Sequence, residues 1–261
     1  MSGARRAGVP IDLSGRVAVV TGGTRGVGRA AALLLAEAGA DVVLGYRSRE
    51  ADARATVEAV ERLGGRAVAV AGDLALERDA EALFEACDEA FGRLDFFVGN
   101  AGVWPPDPVA LADMATEQWR RTMAVNLDGV FFTTRAAARR IREGGAIVLV
   151  TSTAAQRGEA YHGDYAASKG AIQSLVKGLC VELGPRDVTV NAVAPGWIDT
   201  EMSASVLRDE AALAEIRAGI PLGRVASAED IAGPILFLCS RFARDITGEI
   251  LNVNGGAVLA G

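Results

Sequence analysis

The chain has 261 residues, 50% of them hydrophobic and 23% charged, with 27 Lys+Arg against 33 Asp+Glu for a formal net charge of −6. Such a balance belongs to a globular chain with ample core material and excludes disordered and fibrous classes. Its acidic balance argues against a phosphate-binding basic face of the nucleic-acid kind, so no nucleic-acid partner is expected.

Residues 1–12 carry Arg5 and Arg6 with no apolar stretch behind them, and read as a flexible lead-in rather than a signal peptide. The first strand is expected over residues 16–21, with a helix after it through 30–38. Residues 41–45 read as the second strand and 50–63 as its helix, and 67–71 as the third strand. A helix over 79–91 places Leu83, Phe84, Cys87 and Phe91 on one face. Residues 94–98, 146–150, 188–192 and 250–253 continue the series. Near-continuous apolar strands alternating with helices predict an α/β fold. The form expected is one doubly wound, Rossmann-type parallel sheet of about seven strands with helices on both faces. No linker or fixed repeat divides the chain, so 1–261 is taken as a single domain. The loop signals at 104–108 and 195–220 are expected to frame a substrate cleft.

Directly after the first strand stands Thr21-Gly22-Gly23-Thr24-Arg25-Gly26-Val27-Gly28, opening into a helix. Gly22 permits a tight turn, while Gly26 and Gly28 let backbone amides and the helix N-terminus approach a pyrophosphate. The place after a first strand points to nucleotide binding. No Lys-Ser or Lys-Thr follows, which disfavours a P-loop kinase or NTPase. At the end of the second strand an acidic residue would mark NAD. This chain has Gly45-Tyr46-Arg47-Ser48 instead. The guanidiniums of Arg47 and Arg25, with the Ser48 hydroxyl, suit a 2′-phosphate, so NADP(H) is the expected cofactor.

Tyr165-Ala166-Ala167-Ser168-Lys169 sets a phenol and an ammonium at i and i+4 on one helix face. A nearby cation stabilises phenolate, which makes the pair a proton-transfer unit. Other chemistries lack their parts. The single histidine, His162, has no GxSxG serine to activate, and Cys87, Cys180 and Cys239 lie too far apart for a zinc set, so no metal is expected. Reduced thiols and the absence of any apolar run near the roughly 18 residues of a membrane span make cytoplasmic the default, with no membrane partner.

Taken together these marks reach a family. The chain resembles the short-chain dehydrogenases/reductases over residues 13–256. The marks are Thr21-Gly22-x-x-x-Gly26-x-Gly28, Asn100-Ala101-Gly102, Asn126, Ser152 thirteen residues before Tyr165, Tyr165-x-x-x-Lys169, Pro195-Gly196 and the ending at 246–256. The resemblance implies that Tyr165 exchanges a proton with the substrate oxygen and that Ser152 hydrogen-bonds it. It implies that Lys169 holds the nicotinamide ribose and lowers the Tyr165 pKa. Asn126 would anchor a water leading from Lys169 to solvent. By the same resemblance Asp73 and Leu74 would meet the adenine, Asn100 the adenosine side, and Ile198 and Thr200 the carboxamide or phosphates. One departure is Gly99, where the family's turn usually has a first asparagine.

Within the family the general look is closest to 3-oxoacyl-(acyl-carrier-protein) reductases, through Pro221-Leu222-Gly223-Arg224 and Glu229-Asp230-Ile231-Ala232. Reduction of a 3-oxoacyl thioester is therefore the leading expectation, and a free ketone, sugar, polyol or sterol the alternative. A non-catalytic nucleotide sensor stands as a third reading, against the intact Ser152, Tyr165, Lys169 and Asn126. Carrier docking would use Arg186, while Glu143 reverses the charge at the other basic position; Arg140 and Arg142 could compensate. Enoyl reduction is disfavoured, because such relatives place six residues between Tyr and Lys. The partners expected are a small-molecule or thioester substrate, possibly carrier-bound, and further copies of the chain. A homotetramer or homodimer is implied by the family and by the apolar run at 231–239. Trp104 and Trp197 read either as apolar substrate walls or as packing, His162 as a loop-lining residue, and Arg135, Arg139, Arg140 and Arg142 as a solvated helix end.

Overall fold

The computed structural model describes residues 10–259, so most of the lead-in expected over 1–12 lies outside the described residues. β-Branched and apolar runs extend into β1 (Val17–Thr21), β2 (Asp41–Tyr46), β3 (Ala67–Ala71), β4 (Leu94–Gly99), β5 (Ile141–Val150), β6 (Thr189–Pro195) and β7 (Ile250–Val253). Every pairing is parallel, in the order β3-β2-β1-β4-β5-β6-β7. Parallel strands need long crossovers, and helices supply them. These are α1 (Gly26–Glu37), α2 (Glu50–Arg62), α3 (Glu77–Phe91), α4 (Thr116–Met123), α5 (Gly129–Arg140), α6 (Ala154–Arg157), α7 (Gly163–Leu183), α8 (Ala204–Leu207), α9 (Glu210–Ala218) and α10 (Ala228–Leu238).

The two faces of the sheet bury two separate apolar clusters. One joins α1 and α10 to the strands through Ala31, Leu35, Ile231 and Ile235. The other joins α3, α5 and α7 through Phe84, Ala137, Ile172 and Val176. Ile231, Ala232, Ile235, Leu238 and Cys239 are all buried inside the chain, so much of the apolar run at 231–239 is consumed by packing on α1. The arginines read as a solvated helix end are partly committed as well. Arg135 pairs with Glu77, and Arg140 with both Glu81 and Asp88, tying α5 to α3.

Two departures from the expected elements have local causes. β5 starts at Ile141, five residues earlier than the apolar pattern indicates. Leu94 pairs with Ile141 but Phe96 with Ala146, so the polar stretch between them bulges out of the ladder. Between α4 and α5 the helix does not break. Residues 124–128 widen into one π turn that carries Asn126, and such turns are frequent at functional sites.

Candidate active site

The strand order reverses between β1 and β4, which leaves a crevice at the carboxyl ends of the strands. A cavity of about 510 Å³ opens there. Along it lie Gly22, Thr24, Arg25, Gly26 and Val27 from the glycine loop, and Tyr46, Arg47 and Ser48 after β2. Asp73, Leu74, Asn100, Ala101 and Gly102 continue it, and Ser152, Tyr165, Lys169, Pro195, Gly196, Ile198 and Thr200 complete the far side. Gly28 and Asn126, singled out with them, stand behind the wall rather than in it.

The glycine loop is shaped by what a side chain would strike. Gly22 and Gly26 have φ of +63° and +50°. A Cβ on Gly28 would lie 2.1 Å from the Gly22 carbonyl oxygen. Asn100 clamps the loop from β4, its Nδ2 donating to the Thr21 carbonyl at 3.0 Å, while its backbone N–H donates to Thr21 Oγ1 at 2.9 Å. At the mouth of α1 the Arg25 side chain makes no capping bond and the first turn holds no acidic residue. The free N–H groups and helix dipole there fit a pyrophosphate. Arg47 is 67% exposed and pairs with Asp73 at 3.2 Å, placing its guanidinium at the cavity's adenosine end. Directly after β2 the chain sets Arg47 and Ser48 where a carboxylate would mark NAD, an arrangement that suits a 2′-phosphate once Arg47 turns from Asp73. Gly99 also has a steric reason here, because a Cβ would come within 2.6 Å of Leu149 Cδ2.

At the opposite end, Ser152 follows β5 and the α7 helix brings Tyr165 and Lys169 beside it. The Ser152 hydroxyl accepts from the Ala154 N–H at 3.1 Å and lies close enough to the Tyr165 phenol to act on its proton. Lys169 Nζ lies 5.9 Å from the Tyr165 ring centroid and donates to the Val150 carbonyl at 2.9 Å. The register of α7 is held at its start by Asp164, a buried carboxylate that accepts from Thr122 Oγ1 at 2.7 Å and from the Tyr165 N–H at 2.9 Å. Thr151 Oγ1 donates to the Lys169 carbonyl at 2.9 Å, fastening the helix to the end of β5.

Asn126 has both amide ends engaged. Its Nδ2 donates to the Val103 carbonyl at 2.9 Å and to Ser168 Oγ at 3.2 Å, and its Oδ1 accepts from Val103 N–H at 2.8 Å. A Cβ on Gly102 would fall 3.2 Å from Asn126 Oδ1 and 3.3 Å from Lys169 Nζ, so these three groups converge. Asn126 thus braces the wall beside Lys169.

The electrostatics differ in one respect from the sequence expectation. Burial pushes the Tyr165 phenol up to about 12, the Ser152 hydroxyl opposing and the Glu159 charge adding. Burial pulls Lys169 down to about 8. In this cavity desolvation outweighs what lowers the phenol, and that lowering comes from Ser152 rather than from the Lys169 cation expected from the sequence. A neutral phenol beside a hydroxyl is set to donate a proton to an oxygen placed between them.

The substrate half of the cavity contains Trp104 and Trp197, whose rings meet edge-on at 5.8 Å. Trp104 also packs against His162, the rings tilted by 35° with centroids 4.9 Å apart, and its indole N–H donates to Glu159 Oε1 at 3.3 Å. His162 is buried, with Nδ1 unpartnered. Glu159 and Arg157 line the same wall and were not singled out from sequence. No local spacing signals them, since Trp104 lies 55 residues from Glu159.

A family model described as enoyl-(acyl carrier protein) reductase matches residues 22–258. The chain is 40% identical to an L-rhamnose 1-dehydrogenase (NAD(P)(+)) of Sphingomonas sp., covering 94% of this chain and 96% of that one. It is 38% identical to a 3-oxoacyl-(acyl-carrier-protein) reductase of Aquifex aeolicus, covering 94% and 98%. A crystal structure of a short-chain dehydrogenase from Burkholderia cenocepacia in complex with NADP superposes with a TM-score of 0.88. That protein is 38% identical, over 94% of this chain and 98% of the other.

Proposed function

The chain belongs to the short-chain dehydrogenase/reductase family, and on that premise we propose that it interconverts a ketone and a secondary alcohol with NADP(H). The carrying observation is that Ser152, Tyr165 and Lys169 converge on the same cavity as the glycine loop and Arg47. When bound there, NADPH would supply the hydride. Arg25, Arg47 and the α1 N-terminus would hold its phosphates, and Lys169 would face its nicotinamide ribose. Tyr165 donates its proton to the carbonyl oxygen as negative charge develops on it. Ser152 donates a hydrogen bond to the same oxygen. Lys169 keeps a positive charge beside them, and Asn126 holds the wall that positions it. The three residues between Tyr165 and Lys169 support carbonyl rather than enoyl reduction, whatever the matched model's description.

For the substrate, the Aquifex relative supports a 3-oxoacyl thioester. Carrier docking draws less support from the surface. Arg186 spends its guanidinium on the Ala138 and Ile141 carbonyls, Arg140 is paired twice, and Glu143 is exposed. These features favour a free ketone or sugar, the class named in the Sphingomonas relative. No helix among the described residues is long and apolar enough to cross a membrane, in keeping with a cytoplasmic site of action. A homotetramer or homodimer is proposed on the exposed Phe131 (45%) of α5 and Val181 (75%) of α7. A single-chain mass by light scattering would refute it.

Initial rates with NADPH and NADH, over acetoacetyl thioester, free ketones and sugars, test the reading. NADPH is expected to be strongly preferred, and Arg47→Ala to raise its KM by roughly tenfold or more. NADPH binding without turnover of any carbonyl would refute the assignment.

A further inference from the structure

The substrate half of the cavity holds more polar chemistry than moving one proton and one hydride requires. Glu159 sits in its wall, close enough for its charge to act on the Tyr165 phenol. Desolvation raises the Glu159 carboxyl on balance, with His162, the Trp104 N–H and Arg157 opposing and the Asp164 charge adding. A carboxylate held in such a place costs free energy unless donors meet it. Trp104 meets one oxygen, Oε1, at 3.3 Å. A carboxylate has about four acceptor sites, so Glu159 keeps capacity for donors that arrive in the cavity.

The surroundings narrow what those donors are. A plain ketone or an acyl chain brings none. Trp104 and Trp197 present apolar ring surface suited to the C–H face of a small ring. Arg157 on the same wall opposes a cationic substrate. Trp104, packed between His162 and Trp197, is in turn held in place to orient the carboxylate.

We propose that Glu159 is a specificity-determining residue that accepts a hydrogen bond from a hydroxyl neighbouring the reacting carbon. The substrate class is then a vicinal diol or sugar and the corresponding α-hydroxy carbonyl compound. The proposal rests on the ketone/alcohol reading above and deepens it.

The test uses the full chain with NADP⁺ and three alcohols on one ring: cyclohexanol, trans-1,2-cyclohexanediol and trans-2-aminocyclohexanol. The diol is expected to exceed the mono-ol in kcat/KM by about tenfold or more, since a site built for a hydroxyl rejects the analogue lacking it. Glu159→Gln should lower that ratio by roughly 10- to 100-fold, chiefly through the diol KM, and Glu159→Asp should restore part of it. A ratio unchanged in Glu159→Gln, or a preference for the amino alcohol, overturns the proposal and leaves the oxidoreductase reading standing. Silence towards these alcohols and the whole carbonyl panel, with NADPH bound, removes that reading and the proposal with it.

Discussion

Lys169 is buried with its ammonium on the Val150 carbonyl rather than on a carboxylate, and burial pulls it down to about 8. Tyr165, pushed up to about 12, keeps its proton throughout the working range. The sign for carbonyl reduction follows. Below pH 8 both groups are protonated and kcat/KM should be level. Above it Lys169 loses its charge and kcat/KM should fall, approaching about tenfold per pH unit. A pH–rate profile flat to pH 10 would contradict this role. The i, i+4 spacing of Tyr165 and Lys169 is legible in the sequence because helix geometry alone puts them on one face. Their electrostatics are not legible, because desolvation depends on elements far away in the chain. Glu159 was hidden for the same reason, as its meaning depends on Trp104 and Trp197.

The junction of β1 and α1 is the element on which cofactor binding turns. Gly28 stands behind the cavity, yet a Cβ there would collide with the Gly22 carbonyl at 2.1 Å and with Asn100 Nδ2 at 2.5 Å. Gly28→Ala should therefore displace the loop and weaken NADPH binding on the order of tenfold or more. Fluorescence titration checks this, and an unchanged affinity would show that the loop yields freely. Strands such as β3 and β7 are readable to the residue because their apolar runs end in turn residues. The early start of β5 is not, since Arg142 and Glu143 face solvent in a bulge. The π turn at Asn126 is equally silent in sequence, for its residues continue an ordinary helical pattern.

At the scale of the whole molecule, a parallel sheet with one reversal of strand order collects distant segments into one crevice. The glycine loop, the ends of β2 to β6 and the start of α7 all open onto it. That convergence is legible in outline from the alternation of strands and helices, since the carboxyl ends of parallel strands share one edge. The chemistry of the substrate wall is not, because it is assembled by loops of no fixed period. The measurement that bears most directly on the central assignment compares wild-type chain and Tyr165→Phe for NADPH binding and for ketone reduction. Binding should be retained, while turnover falls by about 10²- to 10⁴-fold with loss of the proton donor. Turnover left intact in Tyr165→Phe would contradict the assignment of Tyr165 as the proton donor.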